Sequence, residues 1–194
     1  MQLFITEYSK KNDTIIVNDT ELLAQLRKVL RARIGDHIWI QSPQDEKTKI
    51  RYEISITLWD NKMFEGTIVH EQQHTLGNEK TTMLVAMPNK WDKVELIVQK
   101  LTECGLDQIV FWPSERSIIR TWNPKKEERL QKIIQEAVEQ SRGRKLPKLV
   151  FATDITKYIQ DPEIIIFDKP GISNKDPETR NLLPSPKSHI AAIV

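Results

Sequence analysis

Positive side chains gather at two places in this chain, and phosphate is the chemistry they could meet. The first group is Arg27, Lys28, Arg31 and Arg33; the second is Arg142, Arg144 and Lys145. Arg27 and Arg31 stand four positions apart, so on a helix they share a face and can grip one polyanion backbone together. The plain alternative is that they solubilise the helix and pair with Glu21 or Asp36. The second group follows an apolar helical stripe, where positive charge also answers the helix dipole. A further candidate is Arg116, in Ser114-Glu115-Arg116-Ser117. Its guanidinium is a rigid donor fork that matches a phosphate, and it follows a predicted parallel strand. An ion pair with Glu115 or Glu103 is the competing use.

Other chemistry is less well supplied. Cys104 is the only cysteine, which excludes a disulfide or a multi-cysteine zinc site within one chain and fits a reducing cytoplasm. His70 and His74 have i, i+4 spacing, but their polar surroundings read as a loop, and no metal is expected. Glu95 and Glu103 lie on one helical line, and Glu103 is placed to anchor Arg116. Trp39, Trp59, Trp91, Trp112 and Trp122 read as core or interface residues.

The elements that must position these groups fall into two rhythms. Within 194 residues, 39% hydrophobic and 29% charged, one large or two small folded domains fit, and global disorder is excluded. Residues 1–73 read as short strands at Leu3–Glu7, Thr14–Val17, His37–Gln41, Lys49–Thr57 and Met63–Val69, with a turn at Lys10–Asp13 and one helix over Glu21–Leu30. Many short strands with one helix suggest a small barrel. His70–Lys80 is polar and aperiodic; the linker is placed at 74–79. Residues 80–194 alternate strand and helix: strands at Thr82–Met87, Gln108–Trp112, Lys148–Phe151, Glu163–Phe167 and His189–Val194. Helices are expected over Trp91–Cys104, from Pro124 onward, and over Asp154–Gln160. That alternation predicts a mostly parallel sheet covered by helices. The net charge is only +2, but residues 115–148 hold ten Lys/Arg against five Glu. Such a local surface attracts phosphates, or is simply a solvated helix face. The N-terminus is unlike a signal peptide and no apolar run could span a bilayer, so no membrane partner is expected.

Four segments together resemble the RsmE family of 16S ribosomal RNA uridine-N3 methyltransferases. Gln25–Arg31 with Arg33-Ile34-Gly35-Asp36 resembles "HxxRVLR…GD", with Gln25 and Lys28 in place of His and Arg. Asp92–Gly105 resembles "DKxExxxxKxxELG", with Cys104 in place of Leu. Pro113–Ser117 resembles "P…SERS", and Glu136–Pro147 resembles "EAxEQSGRxxxP", with the Gly-Arg order reversed at Arg142-Gly143. The resemblance covers most of the chain and implies an α/β protein: a small PUA-like RNA-binding β-barrel, then a SPOUT-type trefoil-knot domain. In the family the strand at Ile190–Val194 continues into "GPEGG" and "LGxxILRxET" segments. Their lack implies an incomplete catalytic domain, and an inactive fragment is expected.

The activity implied is methyl transfer from S-adenosylmethionine to N3 of a uridine in 16S RNA of the 30S subunit, by a cytoplasmic homodimer. N3 carries a proton, so a base or water must accept it, and Glu103 is one candidate beside Arg116. Phe167, Asp168 and Lys169, at the tip of a strand, are implied to border the cofactor. The basic groups above become RNA contacts. A non-catalytic RNA-binding or ribosome-associated module is the alternative.

Overall fold

The computed structural model describes residues 2–43, 48–75, 80–115, 117–121, 123–159, 164–167 and 190–193. The chain divides into two compact units, Met1–Leu76 with Glu139–Arg144, and Gly77–Val138 with Lys145–Val194.

The first unit is built on six strands: β1 (Leu3–Ile5), β2 (Ser9–Lys11), β3 (Thr14–Val17), β4 (His37–Gln41), β5 (Thr48–Trp59) and β6 (Phe64–Thr75). They form one sheet in the order β1-β4-β5-β6-β3-β2. Only the β1–β4 pair is parallel. Alternation does the sorting: Tyr52, Ile54 and Ile56 of β5 turn inward and meet Phe4, Ile15, Val17, Ile40 and Phe64. β5 and β6 approach so closely at Gly66 that a Cβ there would lie 2.6 Å from Ile54 Cδ1, which explains the glycine inside a strand.

One helical segment closes this core with Leu22, Leu23 and Leu26. It begins as α1 (Thr20–Ala24), whose first free N–H groups, those of Glu21 and Leu22, donate to Asp19 Oδ1 at 3.0 Å. The expected single helix then widens into a π-helical turn over Gln25–Val29, with Leu30 N donating to Gln25 O at 3.0 Å. Such turns insert one extra residue and recur at functional sites. Arg31 leaves it with φ 52°.

Two local expectations are overturned. Lys10 and Lys11 belong to β2, and the turn is only Asn12-Asp13. His70–Thr75 is not a linker but the second half of β6, paired with β5 from His70 opposite Glu53 to Thr75 opposite Thr48. Neither half of that ladder is apolar at its far end, so no alternation marked it.

The second unit holds β7 (Thr82–Ala86), α2 (Trp91–Glu103), β8 (Gln108–Trp112), most of α3 (Pro124–Ser141), β9 (Lys148–Phe151), α4 (Thr156–Ile159), β10 (Ile164–Phe167) and β11 (Ile190–Ile193). The five strands form a fully parallel sheet in the order β10-β11-β7-β8-β9, as the strand–helix alternation predicts. Asn123 Oδ1 accepts from Lys126 N at 3.0 Å and caps α3. The stripe Leu130, Ile134, Ala137 and Val138 is buried, and Val94, Val98 and Thr102 do the same for α2. From β7 the chain steps to β8 and β9 on one side, then crosses to β10 and β11 on the other. That reversal makes a topological switch point beside the central strand, where open α/β sheets hold ligands at their carboxyl ends.

Candidate functional site

At the carboxyl edge of the parallel sheet, the residues after β8 fold into a tight turn locked to the end of β7. Ser117 N donates to Ser114 O at 3.0 Å. Ser117 Oγ donates to Met87 O at 2.8 Å and accepts from Ser114 N at 3.1 Å. Ser117 is buried, so these bonds fix the turn by satisfying groups that water cannot reach. The serines of the Ser-Glu-Arg-Ser segment are thus the means of fastening this turn to β7. Arg116 itself lies outside the described residues, as do Asp168, Lys169 and Trp122. Phe167 is the last residue of β10 and stands in register with Ile193 of β11, next to the switch point. One face of this edge is lined by Leu84, Val110, Trp112 and Ala152 with Ile155 and Tyr158.

Glu103 is elsewhere. A crossover helix runs back along the sheet, and α2 brings Glu103 to the amino edge, about 20 Å of helix from its own start. Gly105, with φ 79°, ends the helix there, and Asp107 N then donates to Thr81 O at 3.0 Å ahead of β7. The Glu103 carboxylate is held by Lys100 at 2.9 and 3.0 Å. That placement sets Glu103 at the edge of the sheet opposite the Ser114–Ser117 turn. Lys145 stands at the same amino edge, ion-paired with Asp107.

Much of the basic stretch is engaged within the second unit. Arg129 donates to both Glu95 oxygens, and its hydrogen bond holds the Glu95 carboxyl below its ordinary range. Lys126 sits 4.7 Å above the Trp91 ring.

In the first unit the two predicted basic groups behave differently. Arg27 lies over Trp59 at 5.1 Å and donates to Asn61 Oδ1 at 3.2 Å and to Asp60 O. Neither Glu21 nor Asp36 is its partner; Asp36 Oδ2 instead accepts the backbone N–H of Arg33 at 2.7 Å. Lys28, Arg31 and Arg33 are exposed, interleaved with exposed Val29, Leu30 and Ile34. Arg142 and Arg144 belong to this unit too, and Lys145 does not. Beneath them lies Arg51, which sequence reasoning passed over. Its Nε donates to Gln41 Oε1 at 2.8 Å, and a terminal nitrogen donates to the carbonyls of Arg142 (3.2 Å) and Gly143. No sequence signal could have found it, since its partners are far apart in the chain. Among the described residues no group of three or more His, Cys, Asp or Glu could hold a metal.

A parallel sheet with a switch point beside its central strand defines an α/β ligand-binding domain. Residues 77–193 match the RNA methyltransferase domain family, and the chain belongs to that family. No curated protein matches. Among solved structures, the chain resembles a probable rRNA-methyltransferase from Porphyromonas gingivalis (TM-score 0.74, 20% identity, 100% of this chain and 79% of that one). It also resembles a predicted RNA methyltransferase from Thermotoga maritima (0.70, 20%, 99% and 80%). A third is ribosomal RNA small subunit methyltransferase E from Neisseria gonorrhoeae, bound to S-adenosyl methionine (0.68, 21%, 100% and 79%). At these identities the likeness is one of fold. Among the described residues no helix is long and apolar enough to cross a membrane.

Proposed function

We propose that this protein is an S-adenosylmethionine-dependent methyltransferase acting on N3 of a uridine in 16S ribosomal RNA of the 30S subunit. The observation that carries the reading is the topological switch point between β11 and β7, in a domain of the RNA methyltransferase family. The residues at that edge suit the cofactor. Apolar Trp112, Ala152 and Ile155 can cover an adenine or a thioether chain, and the family resemblance adds Phe167, Asp168 and Lys169 to the cofactor's surroundings. When bound, S-adenosylmethionine supplies a methyl group on a positively charged sulfur.

The chain's own part is positioning. Aligning N3 with the methyl carbon can supply much of the rate; the Ser114–Ser117 turn is fastened to β7 by buried hydrogen bonds, and Arg116 is the residue of that segment assigned to the task by the family resemblance. N3–H must lose its proton as the new bond forms. Arg116, always protonated, would favour the resulting uridine anion rather than accept that proton, so water or an RNA group takes it. The first unit acts as a PUA-like RNA-binding domain through Lys28, Arg31, Arg33, Arg142 and Arg144, with Arg27 as a brace. The working form is a cytoplasmic homodimer.

The test is incubation with methyl-tritiated S-adenosylmethionine and 30S subunits, followed by nucleoside analysis. Label in N3-methyluridine is expected of a chain that carries the family's complete catalytic domain, and label only in another nucleoside would overturn the assignment. RNA binding by that chain with no transfer to any nucleoside would instead favour a non-catalytic RNA-binding module.

A further inference from the structure

Seven large hydrophobic side chains are exposed among the described residues, and three of them, Val29, Leu30 and Ile34, fall within six consecutive positions. Single exposed aliphatics are ordinary, but a group of them rimmed by charge marks a contact surface. Helical pitch is what turns the first of them outward. Leu22, Leu23 and Leu26 are buried on the core-facing side of the segment. Val29 and Leu30 follow Leu26 by three and four positions, so a continued α-helix would lay them along that same side. The π-helical turn over Gln25–Val29 puts an extra residue into the turn instead, and Val29 emerges 71% exposed and Leu30 42% exposed.

The chain then reverses at Arg31, whose φ of 52° is uncommon for any residue but glycine, and Ile34 follows, 62% exposed. The segment is nonetheless firmly held. Ala32 N donates to Leu26 O at 2.9 Å, Gly35 N to Ile56 O at 2.8 Å, and Ile56 N to Asp36 O at 2.9 Å. Apolar surface fixed in water by a rare helical pitch and a left-handed residue costs stability that a ligand can restore.

Charge says which ligand. Residues 27–36 carry four cations and one carboxylate, Asp36, and that carboxylate accepts the backbone N–H of Arg33. Lys28, Arg31 and Arg33 are exposed and interleaved with the apolar residues. A single-stranded polynucleotide is the complement: anionic phosphates joined to flat base faces that a duplex would keep stacked inside. A lipid surface would call for a longer apolar helix face than one turn. We propose that Val29, Leu30 and Ile34 pack against unpaired bases of the RNA substrate while Lys28, Arg31 and Arg33 hold its phosphates. The inference rests on the RNA methyltransferase reading for the choice of polyanion. It goes beyond that reading in assigning the first unit a preference for unpaired RNA, set by side chains that carry no charge.

The experiment is equilibrium binding of the full chain to fluorescein-labelled oligouridylate and to an abasic ribose–phosphate strand of equal length, across a potassium chloride series. Wild type is expected to bind the oligouridylate about tenfold more tightly than the abasic strand. The combined Val29→Ser, Leu30→Ser and Ile34→Ser variant should lose that tenfold. Its binding to the abasic strand and both salt slopes should stay as in wild type, because base contacts are removed and phosphate contacts are not. Arg31→Gln with Arg33→Gln should do the reverse, weakening both ligands and making the log–log slope shallower by about 1.4, at roughly 0.7 per contact. Val69→Ser, at an exposed strand position, is the control and should change nothing. The replaced residues are exposed, so the serine variant should melt with wild type. Ile34→Ser alone, beyond the helix, should lose about twofold, its share of the tenfold.

Equal affinity of wild type for the two strands, or an unchanged oligouridylate Kd in the folded serine variant, would overturn the surface. An equal loss on the abasic strand would overturn the base contact. Sedimentation with phosphatidylglycerol vesicles, or dimerisation in the ultracentrifuge, that the serines abolish while RNA binding is unaffected would reassign the surface to a membrane or to a second copy of the chain. Methyl transfer to 30S subunits by a chain with the family's complete catalytic domain separates the two levels. Serine-sensitive RNA binding without transfer supports this surface while removing the proposed reaction; transfer with serine-insensitive binding does the opposite.

Discussion

The turn after the π-helical segment and the turn after α3 look alike in sequence and are opposite in construction. Each is rich in arginine, and each carries an arginine at positive φ, Arg31 at 52° and Arg142 at 53°. In the first, the arginine nearest the core is satisfied: Arg27 has an aromatic face, a side-chain amide and a carbonyl. In the second, the innermost arginine is Arg51, contributed by a distant strand, and its charged neighbours repel it. Arg27 braces its own neighbourhood, whereas Arg51 is held by carbonyls of a turn remote in sequence.

Breaking the second turn should have the largest effect. Arg51→Ala removes a buried side chain and leaves Gln41 Oε1 and two carbonyls short of a donor, and should cost about 3 kcal/mol. Urea unfolding followed by circular dichroism measures it; a loss under about 1 kcal/mol would mean that the turn holds itself. Breaking the first turn should matter less. Arg27→Ala gives up an exposed cation–π contact and two exposed hydrogen bonds, for about 1 kcal/mol, whereas Lys28→Ala beside it should change stability by no more than about 0.5 kcal/mol. Equal losses would erase the distinction drawn between brace and display.

The likeness of the two turns can be sharpened by relieving strain. Arg31→Gly should stabilise the protein by about 0.5 kcal/mol, the left-handed penalty less the added freedom of glycine in the unfolded chain. A lower melting temperature for that variant would show that the Arg31 side chain makes a contact worth more than its strain.

The smallest effect is on pH dependence. His74 is held below 6.5 in the folded protein by burial, Arg51 and Arg144. The unfolded chain therefore takes up this proton more readily. The contribution is fully present above pH 6.5 and is lost as the pH falls through the depressed folded value. His74→Gln should flatten the stability profile in that range, and a profile identical to wild type would place His74 away from the arginines.

What the sequence disclosed, it disclosed through period. The stripes of α2 and α3 and the alternation of β5 are core-facing patterns, and the parallel sheet followed from strand–helix rhythm. The second half of β6 has no such pattern because His70 through Gln73 are exposed; its strand character comes from pairing with β5. The helix over Glu21–Leu30 was visible, but its change of pitch at Gln25 was not, since i→i+4 and i→i+5 bonding bury nearly the same leucines. Arg51 was hidden for a similar reason. It stands between the inward Ile50 and Tyr52, where alternation points it to solvent, and a turn from the far end of α3 covers it. The edge on which Glu103 stands was hidden for a topological reason: spacing sets which helical line a carboxylate occupies, while the direction of the crossover sets which edge of the sheet it reaches.

The order β10-β11-β7-β8-β9 also governs how the protein is made. β7 pairs with β11, joining Thr82 to Ile190, so the central strand emerges from the ribosome long before its second neighbour exists. At about 5–20 residues per second, the intervening chain takes roughly 5–20 s to synthesise. In the last part of that interval, once β9 is made, β7, β8 and β9 can assemble with α2 and α3 packed on them, while one edge of β7 stays unmatched. An unmatched central edge is a template for any passing strand. During synthesis, then, the span between β9 and β11 is a period of vulnerability to aggregation, and slow codons or cold in that window should lower the yield of soluble protein more than the same delay within the first unit.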